Sequence, residues 1–178
     1  MEITKTSKDG FFINSKALNL AINSNEVKAD VLLFSSKNTE KPKNADARVF
    51  DSAGEYEVKK CMIDATQLDE NETGFTVLID GVLLAFLRSG IEEVLTDKQV
   101  EVFAAVDVLI LPIIGEKAEI TSKIISQIEP TTVIPHSYSD DTIAMFGKEF
   151  GSDTEKTSKI KINKKDLSES DKQKLVIL

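Results

Sequence analysis

Residues 106–135 read Val-Asp-Val-Leu-Ile-Leu-Pro-Ile-Ile-Gly-Glu-Lys-Ala-Glu-Ile-Thr-Ser-Lys-Ile-Ile-Ser-Gln-Ile-Glu-Pro-Thr-Thr-Val-Ile-Pro, and this stretch decides the fold. Val108 to Leu111 is a continuous apolar run, the pattern of a strand buried on both faces, and Pro112 stops it. Ile120, Ile124, Ile125 and Ile128 fall on one face of a helix that Pro130 ends. Thr132-Val133-Ile134 is a second strand. Strand, helix and strand within about 30 residues make a βαβ unit, which requires a parallel pair and a right-handed crossover.

Working upstream, Thr96-Asp97-Lys98-Gln99 fits a capping box and predicts a helix to about Ala105. The first half reads as strands. Phe75 to Ile79 and Val82 to Leu87 flank Asp80-Gly81, the strongest short hairpin signal, because both central residues of a type I′ turn need positive φ. Phe11 to Ile13, Leu18 to Ile22 and Val31 to Phe34 are short apolar or alternating runs, and Tyr56 to Ile63 is one mixed, β-rich run. Downstream, a short helix is expected from about Asp141 to Phe150, ended by Gly151, with strands at Ser158 to Ile162 and Lys174 to Leu178. Ser35 to Ala45 and Gly151 to Ser158 are polar and short enough to be loops inside one domain. The order, mostly β, then βαβα, then β, predicts an α/β or α+β fold of layered sheets, with residues 1–178 as a single domain.

The 178 residues carry 22 Lys plus Arg against 30 Asp plus Glu, a formal charge of −8. An acidic chain of this kind is a poor match for nucleic-acid phosphates or for anionic lipid, so neither is expected as a partner. The one cysteine, Cys61, permits no intramolecular disulfide and is expected as a small core residue. A soluble protein in a reducing, cytoplasmic setting is the expectation, since Met1 to Lys5 lacks a basic-then-apolar signal pattern. One histidine in the whole chain excludes a multi-histidine metal centre.

Five strings carry a resemblance. They are Val49-Phe50-Asp51-Ser52-Ala53-Gly54-Glu55-Tyr56-Glu57-Val58, Ile79-Asp80-Gly81-Val82, Leu95-Thr96-Asp97, Val106 to Pro112, and Ile128 to Pro135. In this order and spacing the chain resembles the small metallo-β-lactamase-fold metal-dependent hydrolases of bacteria and archaea, over almost its whole length. The resemblance implies a four-layer αββα sandwich, with two mixed β-sheets face to face and helices outside. It also implies two metal ions, usually zinc, held at the sheet ends by a Ser-His-x-His-x-Asp-His string and further histidines and aspartates. Imidazole nitrogens and carboxylates suit zinc, and an open position keeps a nucleophilic water.

Aligned on that resemblance, Ser35 is kept, but the ligand positions read Ser36, Asn38, Glu40 and Lys41. The early Gly-His falls near Ser7-Lys8, the aspartate after the second strand on Asn23, the mid-chain histidine near Leu68 beside Asp69, and the bridging Gly-Asp on Arg88-Ser89. The last histidine falls on Ser137, with His136 one residue early. Framework strings persist while ligand types are replaced, and an ammonium such as that of Lys41 has no lone pair for a cation. The expected site residues are therefore Lys8, Asn23, Ser36, Asn38, Glu40, Lys41, Ser89, His136 and Ser137, a degenerate cleft with no catalytic residue and no bound cofactor.

Three functions compete. The first is a non-catalytic binding or scaffolding protein, partnered by another copy or by a different protein. The second is a hydrolase of phosphodiesters, esters or lactones with a non-standard metal site drawn from Glu40, His136, Asp69 and Glu55. The third is a small-ligand sensor using the old cleft. Lys37 and Lys41 with Glu40 either fill the former metal space, an ammonium standing in for the cation, or form a solvated loop. Asp140-Asp141 reads as a helix N-cap and Glu92-Glu93 as a solvated turn. Ser36, Ser89 and Ser137 lack a histidine–acid system unless His136 serves, and no glycine-rich phosphate loop is present.

Overall fold

The computed structural model describes residues 1–36, 46–88, 93–150, 153–168 and 173–178. Five strands come first: β1 (Glu2–Lys5), β2 (Phe11–Asn14), β3 (Asn19–Ile22), β4 (Val31–Leu33) and β5 (Arg48–Phe50). Four antiparallel strands follow, β6 (Gly54–Val58), β7 (Cys61–Gln67), β8 (Thr73–Ile79) and β9 (Val82–Phe86). The remainder is α1 (Asp97–Val102), β10 (Val108–Pro112), α2 (Ala118–Ile128), β11 (Thr132–His136), α3 (Asp140–Phe150), β12 (Asp153–Lys156), β13 (Lys159–Lys161), α4 (Lys164–Ser168) and β14 (Lys174–Ile177). One sheet runs β13-β1-β2-β3-β4-β5, the other β12-β14-β11-β10-β9-β8-β7-β6. The βαβ unit is β10-α2-β11, with Leu109 opposite Val133 in a parallel ladder.

The two sheets pack face to face. Ile3, Phe11, Ile13, Leu20, Ile22 and Leu33 from one meet Ile63, Phe75, Val77, Leu84, Phe86 and Ile110 from the other in one buried cluster. Each such side chain stabilises the fold by ~1.5–3 kcal/mol through loss of apolar surface from water. The outer face of the larger sheet is covered by Phe103, Ile124, Ile125, Ile128, Ile143 and Phe146, from the segment after α1 and from α2 and α3. The outer face of the smaller sheet buries Ala21, Leu32 and Phe34 under Val27, Ala29 and Ala47, which lie outside regular structure among the described residues. No described helix is long and apolar enough to cross a membrane.

The Asp80-Gly81 turn forms as expected, with φ of 52° and 78°. So does the capping box. The Thr96 hydroxyl accepts from Gln99 N–H at 3.4 Å, while Gln99 Oε1 accepts from Thr96 N–H at 3.0 Å. α1 stops at Val102, earlier than the pattern predicts, and Ala105 turns to positive φ (59°). The run Tyr56 to Ile63 is not one strand, because Lys59 and Lys60 both adopt positive φ (47° and 67°) and fold it into the β6–β7 hairpin. Part of the polar segment from Gly151 is strand β12, paired in parallel with β14. β1, β5 and α4 also go beyond the pattern reading.

Candidate functional site

The larger sheet's parallel strands and the smaller sheet's β3 and β4 end on the same side of the molecule, linked there by hydrogen bonds. Open α/β sheets bind ligands at such carboxyl ends. Six short segments meet there: the β1–β2 turn, the residues after β3, the residues after β4, the β7–β8 turn, the end of β9 and the end of β11.

The centre is a cation. Arg88, just past β9, donates from Nε to Asp9 Oδ2 at 3.1 Å and from Nη1 to Glu72 Oε1 at 3.0 Å. Asp9 belongs to the β1–β2 turn and Glu72 to the β7–β8 turn, so one guanidinium ties three segments together. Burial raises the Glu72 carboxyl above its ordinary range, and the nearby Arg88 charge opposes that rise. Oε2 of Glu72 and Oγ1 of Thr6 are buried with no hydrogen-bond partner among the described residues.

Asn23 extends the network. Its left-handed backbone (φ 48°) turns the side chain so that Nδ2 donates to Ser35 Oγ at 2.9 Å and reaches Asp9 Oδ2 at 3.5 Å. Its Oδ1 accepts from Ser35 N–H at 2.9 Å. Ser35 and Ser36 are both buried, and Ser36 forms a β-bridge with Glu72. The Ser35 carbonyl accepts from Thr73 N–H at 2.8 Å. Asn23 and Ser36 thus join one polar assembly with Asp9, Ser35, Glu72 and Arg88.

His136 lies beside that assembly but inside the core. It is fully buried, its ring stacked on Phe86 (centroids 5.3 Å apart, 4° between planes) and edge-on to Phe11. Nε2 donates to the Leu87 carbonyl at 2.8 Å, which leaves Nδ1 to accept from the Ser137 hydroxyl at 2.9 Å. Both ring nitrogens are therefore committed. Burial pushes the imidazole down to about 4, so it is neutral near pH 7 and a weak base. The Ser137–His136 contact is consequently a poor nucleophile pair, as the far nitrogen meets a carbonyl rather than a carboxylate. Ser137, in the left-handed region (φ 54°), donates its N–H to the Lys8 carbonyl at 3.3 Å. Lys8 itself is exposed and, among the described residues, joins the site through its backbone carbonyl.

Asn38, Glu40, Lys41 and Ser89, with Lys37, lie outside the described residues. Asp69 is exposed, its carboxylate accepting from Asn71 N–H at 2.7 Å and Glu72 N–H at 2.9 Å. Glu55 is exposed on the edge strand β6. Among the described residues no three of His, Cys, Asp and Glu are grouped to hold a metal ion. The carboxylates of Asp9 and Glu72 already face a guanidinium, and the imidazole has no lone pair to spare. The described donor set does not fit the dizinc centre that the resemblance implies. Sequence reasoning aligned Arg88 with the glycine that precedes the bridging carboxylate, itself replaced by Ser89, and missed Asp9 and Glu72. The Lys8-Asp9-Gly10 turn signal was the one local hint of the former.

The comparisons agree with this architecture. Residues 12–137 match the β-lactamase superfamily domain family, and the chain belongs to it. It is similar in structure to a candidate Zn-dependent hydrolase of the metallo-β-lactamase superfamily from Thermotoga maritima, with a TM-score of 0.86 and 21% identity over 99% of this chain and 97% of that one. A candidate metal-dependent hydrolase from Parabacteroides distasonis aligns with a TM-score of 0.65 and 12% identity, covering 98% and 91% of the two chains. The metallo-β-lactamase fold protein YhfI from Bacillus subtilis aligns at 0.61 with 7% identity, covering 99% and 95%. At these identities the likeness is one of fold. No curated protein matches the sequence.

Proposed function

We propose that this chain is a non-enzymatic binding or scaffolding protein built on a metallo-β-lactamase fold. The observation that carries the reading is the Arg88 guanidinium lying between Asp9 and Glu72 at 3.1 and 3.0 Å. A fixed positive charge held by two carboxylates supplies the cross-link that a cation would supply, and it repels a second cation. The occupied ring nitrogens of His136 point the same way. In this reading the partner is a protein, either a second copy or another chain, and the protein works in a reducing compartment, which suits its single buried thiol.

The test is metal content. Purified without chelator from medium containing zinc and manganese, the protein should carry substoichiometric metal. It should also leave generic phosphodiester, ester and lactone substrates unchanged. One or two tightly held ions per chain, with chelator-sensitive hydrolysis lost in Glu40→Ala, would establish the hydrolase reading instead.

A further inference from the structure

The β6–β7 hairpin fixes which backbone groups of the edge strand β6 are free. Lys59 and Lys60, both at positive φ, form a two-residue loop closed by the Val58–Cys61 pair. In such a loop the closing pair exchanges both hydrogen bonds, and the bonded pairs then recur at every second residue. Val58, Tyr56 and Gly54 therefore bond to Cys61, Ile63 and Ala65 of β7. The N–H and C=O of Glu55 and Glu57 point away from β7, and among the described residues β6 is the last strand of its sheet.

The same two residues carry exposed carboxylates on the outer face. Glu57 is level with Met62, Leu78 and Leu83 across the next three strands. Met62 is 58% and Leu78 38% exposed, so the row is uncovered on β7 and β8, while Leu83 on β9 packs against the helix-side cluster. On the inner face Tyr56 is held rigid, stacked 4.1 Å from Phe50 with its hydroxyl donating to the Ser52 carbonyl at 3.0 Å.

From this geometry we infer that β6 is a docking edge for an extended, basic segment of a partner protein, one with Lys or Arg at alternate positions. Added antiparallel, the segment bonds to the free backbone groups of Glu55 and Glu57. It places a cationic side chain directly opposite each carboxylate, the favoured cross-strand pairing. A second copy fits less well. Two β6 strands facing each other set glutamate against glutamate. The chain's own Lys159-Ile160-Lys161 has the right alternation, but the Lys159 carbonyl already accepts from the Thr157 hydroxyl at 2.9 Å and its ammonium pairs with Glu2 at 3.2 Å. The inference is independent of whether the cleft holds a metal, because β6 contributes none of the cleft's polar groups.

The experiment uses the full chain and a capped peptide of about eight residues alternating lysine with valine. Expected are amide hydrogen exchange slowed about ten-fold at Glu55 and Glu57 when peptide is saturating, binding that weakens as salt rises, and loss of binding when the backbone amide nitrogens of the lysines are methylated. The E55K/E57K variant should instead prefer a glutamate–valine peptide. Circular dichroism verifies that this variant is folded. Protection centred elsewhere, equal binding of both peptides, or concentration-dependent self-association that protects the same amides would each overturn the inference.

Discussion

Arg88 Nη1 lies 3.0 Å from Glu72 Oε1, and the two side chains are 29% and 17% exposed, so the pair is only partly screened by water. Removing the guanidinium leaves Glu72 and Asp9 facing one another. Arg88→Met should cost about 2 kcal/mol in urea unfolding, less than the 3–5 typical of a fully buried pair. Adding Glu72→Gln should recover about half of that loss. The Glu72 carboxyl is already raised by burial, so the native state takes up its proton more readily than the unfolded chain. Its ionisation therefore weakens the fold as pH rises, and the Arg88→Met defect should shrink in acid. A defect independent of pH and unrelieved by Glu72→Gln would show that the ion pair is incidental.

His136 sets an opposite pH dependence. Its folded value is about 4 against an ordinary 6.5. Between these values the unfolded chain binds the extra proton, so stability rises with pH from about 4 to 6.5 and is flat above. The full width corresponds to ~3 kcal/mol. His136→Phe keeps the ring stack on Phe86 but removes the titration. The difference between wild-type and variant unfolding free energies should therefore slope through that window by about one proton. No slope there would mean that the imidazole remains accessible to protons in the native state.

Local signals in the sequence were reliable where the physics was local. Thr96 and Gln99 are three residues apart, and Asp80-Gly81 needs only its own backbone. The β6–β7 turn was missed because lysine rarely takes positive φ, yet Lys59 and Lys60 both do. Lys59 has a compensating contact, its ammonium 2.7 Å from Asp30. β5 has three residues and half-exposed apolar side chains, too short for any periodicity to show. The site was hidden for a different reason. Arg88 meets Asp9 across 79 residues and Glu72 across 16, and His136 meets the Leu87 carbonyl across 49. A resemblance can say which residue type stands at a ligand position. It says nothing of what that side chain bonds to after the ligand is replaced.

Asp107 and Lys164 should respond asymmetrically to mutation. Asp107 is buried, accepts from Leu83 N–H at 2.9 Å, and meets the Lys164 ammonium at 2.7 Å through both oxygens. Lys164 is 54% exposed, so Lys164→Met should cost under ~1 kcal/mol. Asp107→Ala also strands a backbone N–H between β9 and β10 and should cost about 2–3 kcal/mol. Equal losses in thermal or urea unfolding would contradict this division.

Cys61 reports on opening of the sandwich. It sits fully buried on the inner face of β7, and burial, with the Asp80 charge adding, pushes its thiol up to about 11 from 9.0. The thiolate is the reacting species, so both its low population and its burial oppose attack by a disulfide reagent. Native protein at mildly alkaline pH should therefore react far more slowly than denatured protein, with one thiol per chain released only in urea. If the residual native rate comes from global opening, it should rise with added denaturant in parallel with the unfolding equilibrium. Arg88→Met should raise it by the factor its unfolding free energy dictates, about 30-fold for 2 kcal/mol. Rapid native labelling, or a rate unmoved by Arg88→Met, would place a local gap at the β6–β7 hairpin instead of a cooperative opening of both sheets.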